Sequence, residues 1–337
     1  MTKCLSSPAD REDINAVLRS ELDSTEGAAF LNRELQQWKY WAPHPLTPLS
    51  RSHILKKNGT VVGHACAWPV RLLAPSGELN TFHLVDWAAR RDRPGTGIQV
   101  LRYCCDGMAA AFSIGGSAMT RKILPLAGFK TYNRVAFLFR PLRPVQSAVR
   151  EAPLNWQTPA RALRNVWWAL EPKKRLPHGW EITIGDSGNI PQHLLPVQIP
   201  GQAVSVRSPE ILAHIMACPA LRGSACCVLK RGGECLAYLL LVRVGRQVRL
   251  ADYGPPGLDE ETSMVLGTSA QMLARSAFPG AATLVAATTE EPVRTGWIRS
   301  GLHAGREETI SALKLNPALD HIDRFWMTLL DWDAVCL

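Results

Sequence analysis

The sequence predicts an α/β (α+β) protein of two tandem units, each a twisted mixed sheet flanked by helices. Three observations carry this reading. Strand-like runs alternate with helical periodicity on both sides of a proline-rich middle, and the same order of elements occurs twice. The composition, 46% apolar against 20% charged residues, is that of a chain that buries cores rather than staying disordered. At 337 residues the chain exceeds one small domain and suits two.

In the first unit, residues 13–22 and 26–38 space their apolar side chains near 3.6 and read as helices. Residues 52–57 and 60–72 read as strands around Asn58-Gly59, a pair that takes the positive-φ positions of a hairpin turn. A strand over 81–89 follows the turn Pro75-Ser76-Gly77. Residues 98–111 read as a helix and 112–115 as a short strand; Ser117 caps a helix through 126, and 130–139 is a final strand. Prolines 141, 144, 153, 159, 172 and 177 then break the periodicity, and the run Lys173-Lys174-Arg175 among them reads as a solvated turn. The chain therefore divides into residues 1–140, a linker over 141–178, and 179–337. In the second unit, strands over 226–230 and 234–242 flank Gly232-Gly233, and 247–253 is the next strand. A helix over 260–277, a strand over 283–287, a helix over 291–299 and strands over 309–315 and 325–330 complete it.

The two units correspond in places residue by residue. Leu55 before Asn58-Gly59 matches Leu229 before Gly232-Gly233, 174 positions on (229 − 55). Val85-Asp86-Trp87 matches Ala251-Asp252-Tyr253 at 166 (252 − 86), and Gly128-Phe129 matches Gly301-Leu302 at 173 (301 − 128). Similar but drifting offsets are the mark of a duplication with altered loops.

Chemistry concentrates in the loop Arg90-Arg91-Asp92-Arg93-Pro94-Gly95-Thr96-Gly97-Ile98. Gly95 and Gly97 leave no side chain between the backbone amides and a ligand. A helix starting beside Gly97 adds unpaired N–H groups and the positive end of its dipole, which together suit a pyrophosphate. Arg90, Arg91 and Arg93 add attraction for phosphate. The corresponding stretch of the second unit, Gly254 to Glu261, is acidic where its helix starts and would repel that group.

The order hairpin, strand, glycine loop, helix, strand, helix, Gly-Phe, strand resembles the GNAT acyltransferase superfamily, and in particular tandem GNAT proteins of bacterial polysaccharide clusters. The resemblance is carried by Leu84 to Ile98 and by Ile114-Gly115-Gly116-Ser117 through Gly128-Phe129. It implies acetyl-CoA or another acyl-CoA as donor, with pantetheine along the backbone of Val85, Trp87 and Ala88 and pyrophosphate over Arg90, Arg91, Arg93, Gly95, Thr96, Gly97 and Ile98. The family loop opens with Arg or Gln where this chain has Asp92, and the family's frequent acid, a tyrosine four residues before Gly-Phe, is here Leu124.

Acyl transfer to an amine needs a proton acceptor for the ammonium and a donor for the departing thiolate. Asp86 is the expected base, and Ser117 the candidate donor beside its ordinary role as a helix cap. Asp252, the counterpart of Asp86, is the candidate contact to the acceptor. Period-two alternation places His83 on the face opposite Asp86, and His64 reads as a satisfied core histidine. Asp331 and Asp333 resemble an acidic terminal motif of tandem GNAT proteins, with a solvated chain end as the plain alternative.

Nine cysteines with two vicinal pairs and no C-x-x-C argue for free thiols and against both a disulfide framework and zinc. The longest apolar run, 235–242, is short of a membrane span, so a cytoplasmic protein without membrane contact is expected. The net charge of +9 favours anions, but the basic residues are dispersed, and no specific nucleic-acid partner is expected. The leading expectation is acyl transfer to a small-molecule amine, such as an amino sugar or cell-surface-polymer precursor. The alternatives are a FemAB-like aminoacyl transferase using aminoacyl-tRNA and a non-catalytic tandem scaffold.

Overall fold

The structure is a computed structural model that describes residues 1–22, 27–74, 77–148, 158–170, 175–185, 188 and 190–336. The chain opens with β1 (Thr2–Leu5) and α1 (Arg11–Glu21). In α1, Ile14, Val17 and Leu18 stand on one face and are fully buried, while Glu12 and Asp13 suit the first turn and Arg19 the last. The helix expected over 26–38 is shorter and later. Asn32 accepts the Leu35 amide at 3.0 Å and starts α2 (Arg33–Gln36), which widens into a π-helical turn over Gln37–Trp41. Residue 26 and the turn residues Pro75 and Ser76 lie outside the described residues.

Strands β2 (Ser52–Lys57), β3 (Thr60–Ala74) and β4 (Gly77–Ala89) form an antiparallel meander, with Asn58 and Gly59 at positive φ as the hairpin requires. Then come α3 (Thr96–Cys104), β5 (Ala110–Ile114), α4 (Ala118–Leu126) and β6 (Lys130–Pro141). The expected helix over 98–111 stops early because the chain turns at Gly107, and Ala110 and Ala111 enter the sheet beside Thr81 and Phe82. Burial in the sheet overrides the helix propensity of three alanines. The middle segment is not bare linker. It carries α5 (Pro144–Ala148) and α6 (Thr158–Leu170), whose prolines 144 and 159 fall in first turns, where a missing N–H costs nothing. Pro153, Pro172, Lys173 and Lys174 lie outside the described residues.

The second unit adds β7 (Trp180–Gly185), β8 (Gln202–Ser205) and α7 (Pro209–Met216), none of them anticipated. It continues with β9 (Leu221–Arg231), β10 (Glu234–Val244), β11 (Gln247–Gly254), α8 (Glu260–Ala277), β12 (Thr283–Thr288) and α9 (Glu291–Ser300). It ends with β13 (His303–Lys314) and β14 (Arg324–Trp326), so the strand expected over 325–330 is largely an irregular tail.

These strands form one mixed sheet in the order β1-β2-β3-β4-β5-β13-β6-β12-β11-β10-β9-β7, with β8 and β14 attached at its side. The two units exchange their last strands. β13 pairs with β5 of the first unit, β6 pairs with β12 of the second, and β6 and β13 pair with each other. The exchange is symmetric, as the duplication implies, and the sheet runs unbroken past the proline-rich middle. One face of the first unit packs Val62, Leu84, Val100, Leu101, Leu124 and Phe129 around α3 and α4. The other face packs α1, α7 and the tail over 325–336 into a shared cluster that includes Trp68, Phe112 and Trp332.

Candidate active site

β4 and β5 run parallel but pair only at Thr81–Ala110, Phe82–Ala111 and His83–Phe112. Past His83 they separate, so β4 from Leu84 to Trp87 has no strand on that side. Unpaired strand edges offer N–H and C=O groups that a ligand's amides can meet. A cleft of about 1250 Å³ opens at this splay, lined by β4 from His83 to Trp87 and by Ser113, Ile114, Gly116 and Ser117.

β11 and β12 repeat the arrangement, paired only at Gln247–Thr283, Val248–Leu284 and Arg249–Val285. Here the gap is filled. Tyr253 Oη lies 2.7 Å from Thr288 Oγ1 and donates to Glu290, and Trp326 Nε1 donates to the same carboxylate at 3.0 Å. The Met327 amide donates to Thr289 Oγ1, and Trp326 and Leu329 are buried. The tail therefore occupies the second splay, while the first stays open.

Asp86 stands at the wall of the open splay, on a bulge. His64 pairs with Ala88 and Cys66 with Val85, so Asp86 and Trp87 together face one residue of β3, and Asp86 takes φ +48°. The extra residue shifts the alternation. His83, expected on the opposite face, packs on Phe112 and Trp332 on the same face as Asp86. The Asp86 carboxylate accepts Tyr40 Oη at 2.6 Å and Lys39 Nζ at 2.7 Å, both from the π-helical turn. Lys39 also reaches Asp333 at 3.0 Å. Burial opposes both charges, yet the pairing prevails: Lys39 is held above the ordinary lysine range and Asp86 below the ordinary carboxylate range. A carboxylate so held accepts protons poorly. Asp333 is the more open of the two, 14% exposed against 7%, and it also lines the cleft.

His64 is satisfied at both nitrogens, 2.9 Å from the Asp86 carbonyl and 2.9 Å from Ser52 Oγ. A carbonyl only accepts, so Nδ1 carries the proton, and burial lowers this imidazole to about 4. Ser117 lines the cleft as the cap of α4, accepts the Thr120 amide at 3.1 Å and shares a 3.0 Å hydroxyl contact with Thr120 Oγ1, in which either oxygen can donate. Leu124, where the family often has an acid, is buried in the α3–α4 core.

Asp252 does not reach the cleft. It is fully buried and accepts Arg207 Nε and Nη2, Tyr238 Oη and Thr328 Oγ1 at 2.7–3.1 Å, which uses its oxygens on structure rather than on a ligand. Asp331 completes that network through Arg207 and Ser205, so neither terminal aspartate is a solvated end. Among the described residues, no group of three or more His, Cys, Asp and Glu side chains is arranged to hold a metal ion, and no helix is long and apolar enough to cross a membrane.

The glycine loop lies behind Trp87. Gly95 takes φ +83° ahead of α3, and no side chain caps that helix. Trp87 Nε1 donates to the Gly97 carbonyl at 3.0 Å, so the indole stands between the cleft and the first turn of α3. Arg90 and Arg93 turn the other way, toward a small cavity beside Lys57 and Asn58, and Arg91 pairs with Glu21 at 3.2 Å. Thr96 is buried, and Val85 and Ala88 face the core on the α1 side. The structure thus brings Val85, Asp86, Trp87 and Ser117 to one cleft and leaves residues 90–98 outside its lining.

Solved structures share this architecture. A tandem GNAT protein from the clavulanic acid biosynthesis pathway superposes with a TM-score of 0.53 at 10% identity, covering 94% of this chain and 99% of that one. The fold is that of the GNAT acyltransferases. A GCN5-related N-acetyltransferase from Anabaena variabilis gives 0.53 at 8% identity over 94% of this chain and 73% of its own. Saccharomyces cerevisiae N-myristoyltransferase, solved with bound myristoyl-CoA and inhibitors, gives 0.54 at 11% over 94% and 81%. No family model and no curated protein matches the sequence.

Proposed function

We propose that the chain is an N-acyltransferase that seats an acyl-CoA in the first splay and transfers the acyl group to an amine. The observation that supports this most is the asymmetry of the two splays: one is filled by the chain's own tail, and the other opens into a cleft with the uncapped start of α3 behind it. The β4 edge from Leu84 to Trp87 offers backbone partners to pantetheine. The amides at the start of α3 offer the pyrophosphate a positive helix end once Trp87 yields.

In this reading the amine nitrogen attacks the thioester carbonyl, an amide bond forms, and the C–S bond breaks. The ammonium proton leaves before attack through Asp333, the more exposed carboxylate on Lys39, while Asp86 fixes Lys39 and Tyr40 in place. As the C–S bond breaks, the attacking nitrogen gives up its second proton, which reaches the sulfur by relay through Ser117, whose Oγ–H donates to the thiolate while its oxygen takes the proton from nitrogen; the start of α4 lowers the charge cost of the departing thiolate. An amino sugar is the finer acceptor class the resemblance suggests.

The scaffold reading draws on the buried Leu124 and the low basicity of Asp86. Thiol release from acetyl-CoA and longer acyl-CoAs, followed with a chromogenic disulfide over a panel of amines, separates the two. Acyl-CoA binding without any amine-dependent thiol release favours the scaffold. No binding at all, with Gly97→Glu behaving as the wild type, sinks the donor site.

A further inference from the structure

Two of the free cysteines meet where the tail packs on α7. Cys218 lies just past the end of α7, its amide bonded to the Ile215 carbonyl at 3.0 Å, and Cys336 closes the last turn of the tail, its amide bonded to the Asp333 carbonyl at 2.9 Å. Their thiols are hydrogen bonded to each other, although 118 positions separate them (336 − 218). Both are buried, yet Cys336 lines the cleft, and so do Pro219 and Ala220, the residues directly after Cys218. A small solute in the cleft therefore reaches the pair, while a bulky one does not.

The two thiols are unequal. The hydrogen bond with Cys336, joined by the Ala220 and Leu221 amides and the charge of Lys39, outweighs burial and holds Cys218 below the ordinary thiol range. Burial, together with the same hydrogen bond, pushes Cys336 up. Burial also raises Cys66, Cys104, Cys105 and Cys227. The thiolate is the form that attacks a peroxide, and an adjacent thiol turns the product into a disulfide.

The pair also bridges two elements that grip the same turn. α7 holds the π-helical turn through His214, whose ring stacks on Trp38 with centroids 5.0 Å apart and whose carbonyl accepts Trp38 Nε1 at 3.2 Å. The tail holds the turn through Asp333, which binds Lys39 at 3.0 Å. We propose that Cys218 and Cys336 form a reversible oxidation site for hydrogen peroxide, whose disulfide fastens the tail to α7 across the turn that carries Lys39. Cys218 gives up its proton and its sulfur attacks one peroxide oxygen. The O–O bond breaks, leaving a sulfenic acid on Cys218 and a hydroxide that takes the proton as water. The Cys336 sulfur then attacks the Cys218 sulfur. The S–S bond forms, the S–O bond breaks, and hydroxide leaves with the Cys336 proton as a second water. Two electrons pass from the sulfurs to one peroxide. No step uses an acyl-CoA, so the site stands or falls apart from the acyl-transfer reading.

The test titrates the reduced full chain with hydrogen peroxide and maps its cysteines by mass spectrometry of unreduced peptides. The Cys218–Cys336 link forms first, ahead of oxidation at Cys66, Cys104, Cys105 or Cys227, and dithiothreitol reverses it. In C336S the sulfenic acid stays on Cys218 and is captured by dimedone; in C218S neither a link nor a Cys336 adduct forms. In the oxidised wild type, amide hydrogen exchange over residues 327–335 slows by about tenfold, because the tail no longer opens away from α7. Mapping and exchange need only the wild-type chain, so both readouts remain if a serine variant fails to fold. Oxidation of this pair no earlier than the other thiols overturns the proposal, as does dimedone capture at Cys336 in C218S. A link that leaves the exchange of the tail unchanged overturns it as well.

Discussion

Replacing Lys39 with methionine strips the one cation from between two carboxylates. Lys39 is 1% exposed and Asp86 7%, so water cannot replace the lost partner. Breaking a buried pair from one side costs about 3–5 kcal/mol. An unfolding entropy of about 2.1 cal/mol/K per residue gives roughly 0.7 kcal/mol/K for a chain of 337 residues unfolding as one unit, so Tm should fall by about 4–7 °C at pH 8. The pH dependence sharpens the test. In the wild type the depressed Asp86 contributes stability that is present above the ordinary carboxylate pKa and lost on acidification, and the raised Lys39 contributes stability lost only above its ordinary pKa. Without Lys39, burial, the largest influence on Asp86, is opposed only by the Tyr40 hydrogen bond and His64, and the carboxyl rises. The variant then gains relative to wild type as pH falls from 8 toward 5 and the carboxyl protonates. Adding Asp86→Asn should recover at least half the loss at pH 8. Thermal melts of the four proteins of this cycle at both pH values decide it. A Lys39→Met variant within 1 °C of wild type, or a penalty that does not shrink at pH 5, would refute the idea that this pair is a buried charge clamp.

Three further expectations follow from named contacts. Ser117→Ala removes an exposed cap worth about 1 kcal/mol and the proposed proton donor, so a small loss in Tm should accompany a larger loss in kcat than in KM, read from thiol release. Asp252→Asn leaves Arg207 short of its partner inside the second unit, and should cost several kcal/mol in urea unfolding while CoA affinity, measured below the unfolding range, stays within twofold. Burial lowers His64 and His83 to about 4, so each stays neutral when folded and takes a proton when unfolded. Stability present above the unfolded value near 6.5 is lost as pH falls toward 4, by about 1 kcal/mol for each between pH 7 and 5.5. The change in urea midpoint over that interval measures it, and His83→Phe should flatten it by about one such share.

What was legible in the sequence was local. Asn58-Gly59 named its own hairpin, and the apolar spacing of Ile14, Val17 and Leu18 named the buried face of α1. The offset of 173 between Gly128-Phe129 and Gly301-Leu302 is the offset of β6 (Lys130–Pro141) and β13 (His303–Lys314). Their exchange was not legible, because each strand's pattern is satisfied by either parallel pair and only the assembled sheet decides. Asp86 could be singled out from its strand, but its partner Lys39 comes from a π-helical turn that 3.6-residue periodicity does not reveal. His83 was misassigned for a similar reason: one bulge residue inverts the alternation, and no side chain announces it. Arg161, Arg164, Arg222, Arg246, Arg249 and Arg306 are scattered in the sequence, and only the assembled sheet brings them to the lining of one cleft.

Two independent features separate the halves, and they agree. The tail fills the second splay with Trp326 and Leu329, and Asp259 caps α8 by accepting the Thr262 amide at 2.7 Å, with Glu260 and Glu261 behind it. Either change alone would disable an acyl-CoA site: the first leaves no path for pantetheine, and the second places carboxylates where a pyrophosphate would sit. The first half has the opposite at both points, an open β4 edge and an α3 start with no side-chain cap. A duplicated fold that had merely decayed would lose these features one at a time. Here the filled splay also does something for the open one. The segment that plugs it continues directly into Trp332, which packs on His83, and Asp333, which binds Lys39. The tail that fills the second cleft thus also builds a wall of the first, and it ties together two units that the exchanged strands β6 and β13 already join into one sheet.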